Sequence, residues 1–239
     1  SGKDGVGLVP FVGSRGAHYD DALSIGGQGS DIFVDASLGE LFLLWEVATA
    51  FACQILGVNP YDQPNVESAK VAAKALLEQP DVVGRDERGV DGFSVWGSTD
   101  LLDGKTLPEL IAQWKKHLRG NSYGAVCVFG NQKLAGAWSQ AVRGAEGQVH
   151  RPVSLGFGPR FLHSTGQLHK GGPAQGVFLQ IIQVADWTVD VPGREFDFGT
   201  LLLAQAHGDA QVLVEAGLSV LSVTASTDQL PAVWAALEG

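Results

Sequence analysis

The alternation of apolar and polar positions marks out the elements of the chain before any single residue is considered. Gly7-Leu-Val-Pro-Phe-Val12 and Asp31-Ile-Phe-Val-Asp35 are short apolar runs between glycine-rich and polar turns, which predicts two buried strands. From Leu38 to Leu56 the chain is apolar on nearly every face of a helix, with Glu40 and Glu46 as its only charges. Such a segment is expected to be buried between other elements. Gly57-Val-Asn-Pro60 ends it, and Asn65 is placed to cap a second helix that runs to about Gln79, ahead of Pro80. Between Pro80 and Lys105 the glycines, charges and turn residues show little periodicity, and the stretch reads as a linker.

Thr106-Leu-Pro-Glu109 has the pattern of a capping box with proline inside it, and it opens a helix to about Leu118. Strands are predicted at 123–129, 149–155, 176–184 and 218–224, and helices at 131–142, 199–216 and 228–238, with a long loop ahead of 176. This alternation predicts an α/β fold: a mostly parallel sheet with flanking helices, in two lobes. The expected division is 1–82, a linker at 83–105, and a C-terminal α/β lobe at 106–239.

Composition narrows the partners. The chain has 45% apolar and 18% charged residues, the balance of a packed globular protein. A net charge of −10 leaves no basic field to hold a polyanion, so nucleic acid is not an expected partner. One phosphate needs only a few local donors and stays within reach. Cys53 and Cys127 lie in apolar runs and read as small core residues, with no disulfide expected. The opening Ser1-Gly-Lys-Asp-Gly5 lacks the apolar core of a signal peptide, and no uncharged apolar stretch is long enough for a membrane span. The expectation is a cytoplasmic protein with no membrane partner.

The candidate chemistry is concentrated around the second helix. Gln63 lies in the turn before it and Lys70 about one and a half turns inside it, so both can face one ligand near the helix N-terminus. An ammonium there can polarise an oxygen of a bound ligand and stabilise a developing oxyanion. Standing alone, Lys70 would read as an ordinary solvated charge beside Glu67.

The segments Leu38-Gly-Glu-Leu-Phe-Leu-Leu-Trp-Glu46 and Gly57-Val-Asn-Pro-Tyr-Asp-Gln-Pro-Asn-Val-Glu-Ser-Ala-Lys70 closely resemble the signature of phosphoglucose isomerases, in which a buried helix leads to an Asn-Pro-Phe-Asp-Gln turn and a lysine-bearing helix. The resemblance implies a catalytic Lys70 and a substrate-binding Gln63. Ser1-Gly-Lys-Asp-Gly-Val-Gly-Leu-Val-Pro10 and Leu155-Gly-Phe-Gly-Pro-Arg-Phe-Leu-His-Ser-Thr-Gly-Gln-Leu-His-Lys-Gly-Gly-Pro173 resemble segments of isomerases fused to transaldolase. Together the resemblances cover 1–10, 38–75 and roughly 153–224.

These resemblances imply a sugar-isomerase-like fold and interconversion of glucose 6-phosphate and fructose 6-phosphate, with neither metal nor nucleotide cofactor. The implied partners are the sugar phosphate, an upstream part of the same polypeptide and a second copy in a homodimer. The family's glutamate base and ring-opening histidine belong to upstream motifs that do not occur here, and His18 has different surroundings. The absence of methionine agrees with an internal piece of a longer protein. The alternative is a sugar-phosphate-binding or structural lobe without activity of its own.

The loop at 158–173 gathers Arg160, His163, Ser164, Thr165 and Lys170 among glycines, an arrangement that can bind a phosphate or other small anion. His163 and His169 have no acidic or thiol ligand beside them, so no metal is expected.

Overall fold

The computed structural model describes residues 25–26, 30–61, 66–78, 87–184, 186 and 188–239. The strand expected at 7–12 lies outside them. Two short strands, β1 (Ile25–Gly26) and β2 (Ile32–Phe33), pair in parallel. They lead to α1 (Leu38–Leu56), which begins where Glu40 Oε2 accepts from the Ser37 N–H at 2.7 Å and ends where the Val58 N–H returns to Cys53 O at 2.9 Å.

The expectation that α1 is buried is corrected, since none of its residues is buried. Phe42 is 64% exposed, Phe51 66% and Ile55 84%. Its apolar pattern reports a demand for cover on several sides, and the described residues do not supply that cover. The second helix, α2 (Val66–Glu78), ends within a residue of the predicted limit.

Residues 83–105 are not a bare linker. They hold β3 (Arg88–Val90) and β4 (Phe93–Gly97), an antiparallel hairpin turned by Asp91 (φ +52°) and Gly92 (φ +83°). Positive φ at both central residues belongs to the two-residue turn that matches strand twist, and Asp-Gly is a preferred pair for it. The sheet therefore begins at Arg88, well before the expected lobe boundary at 106.

The remaining elements follow in order: α3 (Leu107–His117), β5 (Tyr123–Phe129), α4 (Ala135–Val149), β6 (Val153–Gly158), α5 (Gly166–Gly171), β7 (Gly176–Gln183), α6 (Phe198–Glu215), β8 (Ser219–Ala225) and α7 (Leu230–Glu238). At the head of α3, Thr106 Oγ1 accepts from the Glu109 N–H at 3.3 Å, and Glu109 reaches back to the Lys105 N–H at 2.7 Å. The long loop expected before β7 is instead a 3-10 turn at Arg160–His163 followed by α5.

The six-stranded sheet has the order β3-β4-β8-β7-β5-β6. Strands β8, β7, β5 and β6 are mutually parallel, and the β3-β4 hairpin adds antiparallel to β8. This is the mostly parallel α/β sheet with flanking helices that the alternation predicted. Residues of β5 and β7 are buried on both faces, which explains their continuous apolar runs. One face packs Val126, Val128, Leu179, Ile181 and Val223 with side chains of α3, α4 and α7. The other packs Ala125, Cys127, Phe129, Phe178 and Val220 with Phe161, Leu162 and residues of α6. Helix α2 lies on α6, on the outside of this second face.

Candidate functional site

Lys70 stands in the second turn of α2 and is exposed, while Ala73, one turn further on, is buried. The helix thus sits with one side on the body of the protein and carries the lysine at its surface. Gln63 and its neighbours at 62–65 lie outside the described residues, as do Lys3 and His18. Further along α2, Lys74 pairs with Glu78 at 3.8 Å.

The polar residues of 158–173 are divided by the fold. Arg160, His163, Ser164 and Thr165 are exposed, with Arg160 Nη2 donating to Gln132 Oε1 at 2.8 Å and Ser164 Oγ donating to Phe161 O at 3.2 Å. His169 and Lys170 turn inward and are buried. The Lys170 ammonium forms an ion pair with Asp209 of α6, its side chain 2% exposed against 1% for the aspartate. Lys170 therefore braces α5 against α6, and the exposed remainder of the segment is what faces solvent.

Asp209 is the partner that the sequence reading did not single out as a site residue. The signal was present: a single carboxylate amid the apolar and small residues of Ala204–Leu213 must find a cation or a donor when that helix is buried. Around this pair lie Tyr123, whose hydroxyl meets His169 Nδ1 at 2.9 Å, and Cys127. Burial raises the Cys127 thiol, with the Asp209 charge adding to it, and burial raises the Tyr123 phenol. Burial lowers the His169 imidazole to about 4, and the Lys170 ammonium acts in the same direction. The Asp209 carboxyl is raised by burial against the opposing pull of Lys170. Neutral thiol, phenol and imidazole around one ion pair make an inert core rather than a nucleophilic centre. On the same face of the sheet, Gln180 donates to Ala206 O and accepts from Ser222 Oγ, each at 2.9 Å.

A second polar region lies at the carboxyl edge of the sheet. Neighbouring strands β5 and β7 send their chains to opposite sides: β5 leads through α4 to β6, and β7 through α6 to β8. The crevice between them is a topological switch point, the place where open α/β sheets bind ligands. Here Gln183 accepts from the Asn131 N–H and donates to Thr227 Oγ1, both at 2.9 Å, and Thr227 donates to Asp186. Gln132 links this edge to Arg160, and Lys133 is exposed beside it. Two cations stand at this edge among amide and hydroxyl groups and one carboxylate, Asp186.

The fold thus defines an α/β protein with an exposed lysine helix and a polar carboxyl edge. No family model matches the chain. Among curated proteins it is similar to glucose-6-phosphate isomerases. The one from Prochlorococcus marinus (strain MIT 9515) is 36% identical over 106 residues, 44% of this chain and 19% of the relative. Those from Heliobacterium modesticaldum and Leptospira interrogans are 37% and 50% identical over 83 and 44 residues. These matches relate the chain to the sugar isomerases, and it spans about a fifth or less of their length. Among solved structures, the crystal structure of a hypothetical protein from Thermus thermophilus aligns with a TM-score of 0.48 and 20% identity, over 56% of this chain and 37% of that one.

Proposed function

We propose that this chain is the C-terminal part of an aldose-ketose isomerase interconverting glucose 6-phosphate and fructose 6-phosphate, within a longer polypeptide of the transaldolase-fused type. The observation that carries the reading is the 36% identity to a glucose-6-phosphate isomerase over 106 residues. Helix α1 supports it. By length and composition it would also cross a bilayer, but a soluble core helix without its neighbours passes the same test, and Glu46 in mid-helix favours the latter. An open apolar groove of about 800 Å³, lined by Leu41, Phe42, Trp45, Pro60 and Tyr61, lies along it. The rest of an isomerase would fill that groove.

In the intact enzyme a carboxylate base outside this chain moves the proton between the two sugar carbons. Lys70 steadies the ring or enediol oxygens, and Gln63 holds the substrate. Lys70→Ala in the full-length polypeptide is expected to lower turnover of fructose 6-phosphate by at least about tenfold. Residues 1–239 alone are expected not to turn it over, for lack of the base. Wild-type turnover in Lys70→Ala overturns the role.

One observation favours a second reading, a lobe that binds sugar phosphate without converting it: the switch point carries Lys133 and Arg160 in a chain whose net charge is −10. Titration with fructose 6-phosphate and with sulfate, followed by amide shifts at Ser164, Thr165 and Asn131, tests it. Shifts with the sugar phosphate and not with equal sulfate favour a sugar site, and no shift with either at millimolar ligand removes this reading.

A further inference from the structure

Where α2 crosses α6 the two backbones meet. A Cβ placed on Gly208 would stand 2.8 Å from the backbone nitrogen of Ala73, 3.1 Å from its Cα and 3.2 Å from the carbonyl carbon of Ala72. Real Cβ atoms do not approach that closely, and all three neighbours are main chain, so no rotamer change can relieve the contact. A side chain at 208 must therefore move one helix away from the other.

The surroundings decide which one moves. The residues flanking Gly208 are each fastened to a different part of the protein. Ala206 O accepts from Gln180 of β7 at 2.9 Å, His207 Nε2 meets Glu87 Oε1 just ahead of β3 at 3.3 Å, and Asp209 holds Lys170 of α5 in the core. The apolar side chains of α6 pack on the sheet as well. Rolling or lifting α6 breaks all of these at once. Helix α2 packs mainly on α6, with a lesser contact to α5. The displaced helix is α2. Lys70 is three residues before Ala73, about 4.5 Å along the same rigid helix, and travels with it.

We propose that Gly208 is a positioning residue for Lys70: its missing side chain lets α2 seat on an α6 locked by Gln180, Glu87 and Lys170, and so sets the depth at which the lysine meets the sugar phosphate. The proposal rests on the isomerase reading above. It gives the C-terminal sheet a task in that reaction, as the platform for the lysine helix.

The test uses the full-length polypeptide. Gly208→Val displaces α2 by an amount of order 1 Å, and a misplacement of that size lowers kcat for fructose 6-phosphate by about 100-fold. Gly208→Ala, which is the milder change and keeps the protein folded if valine does not, lowers it by about 10-fold. In both, KM changes by less than about threefold, because the lysine acts in the transition state more than in binding. Amides of 66–78 exchange with solvent at least about tenfold faster than in the parent, while those of β5 and β7 keep their protection. Val233→Ala, buried in α7 on the opposite face of the sheet, lowers the melting temperature and leaves kcat unchanged.

If the Gly208 variants retain parental kcat, or α2 amides exchange at the parental rate, the positioning role is overturned. If kcat falls in Val233→Ala as it does in Gly208→Ala at equal loss of melting temperature, Gly208 is merely structural and the proposal also fails. Lys70→Ala separates the two levels. Wild-type turnover there overturns the isomerase reading together with the positioning role, whereas an inactive Lys70→Ala beside an active Gly208→Val overturns the positioning role alone.

Discussion

The two faces of the main sheet are built from different materials. Against α3, α4 and α7 the strands present Val126, Val128, Leu179, Ile181 and Val223, met by Trp114, Trp138 and Val233. Against α5 and α6 the same strands present Tyr123, Cys127, Gln180 and Ser222, and the helices return His169, Lys170 and Asp209. The first face is held by non-directional burial, which tolerates volume-conserving exchange. The second adds to its own apolar packing a set of pairings that work only in one arrangement, the use for which buried polar groups are best attested. It is also the face on which the Lys70 helix sits.

The contrast between the faces is broken most directly at the ion pair. Asp209→Ala leaves a buried ammonium without its counter-charge and should cost about 3–5 kcal/mol in urea unfolding. Replacing both partners by apolar residues, Lys170→Met with Asp209→Leu, should recover most of that loss. If the single variant is nearly neutral, the polar face does not depend on the pair.

The next effect is a pH dependence that belongs to the polar face alone. His169 is lowered from 6.5 to about 4 in the folded protein, chiefly by burial. The unfolded chain then binds the extra proton first as pH falls. The stability contributed by the neutral imidazole is present above about pH 6.5 and is lost progressively towards pH 4, a difference of about 3 kcal/mol at full extent. Unfolding of the parent and of His169→Gln, compared at pH 7 and pH 4.5, should show the parent losing more. Equal losses would remove His169 as the cause.

On the apolar face Ile181→Val should cost about 1 kcal/mol. The cost should be the same at both pH values, since Ile181 packs among apolar side chains. At the edge of that face, Thr106→Ala removes the cap of α3, where the Thr106 hydroxyl accepts from the Glu109 N–H. It should cost about 1 kcal/mol or less, the hydrogen bond being long and exposed.

Many of the elements were legible in the residues because their signals are local. The bounds of α1 and β5, and the capping pattern at Thr106-Leu-Pro-Glu109, follow from periodicity and from punctuation by glycine and proline. The β3-β4 hairpin was legible too, in Val90-Asp-Gly-Phe93, though the glycines and charges around it read as a linker. The resemblance around Lys70 was likewise carried by contiguous residues.

The chain by itself determined which segments form helices and strands and which of them require burial. The tertiary structure alone decided what meets what. Lys170 and Asp209 are far apart in sequence, and nothing local distinguishes a lysine that binds an anion in solvent from one that pairs inside a core. Gly208 reads as an ordinary helix-weakening glycine until α2 is seen lying on it. Helix α1 shows the same limit from the other side: hydrophobicity is non-directional, so an apolar pattern states that a surface must be covered without naming its cover.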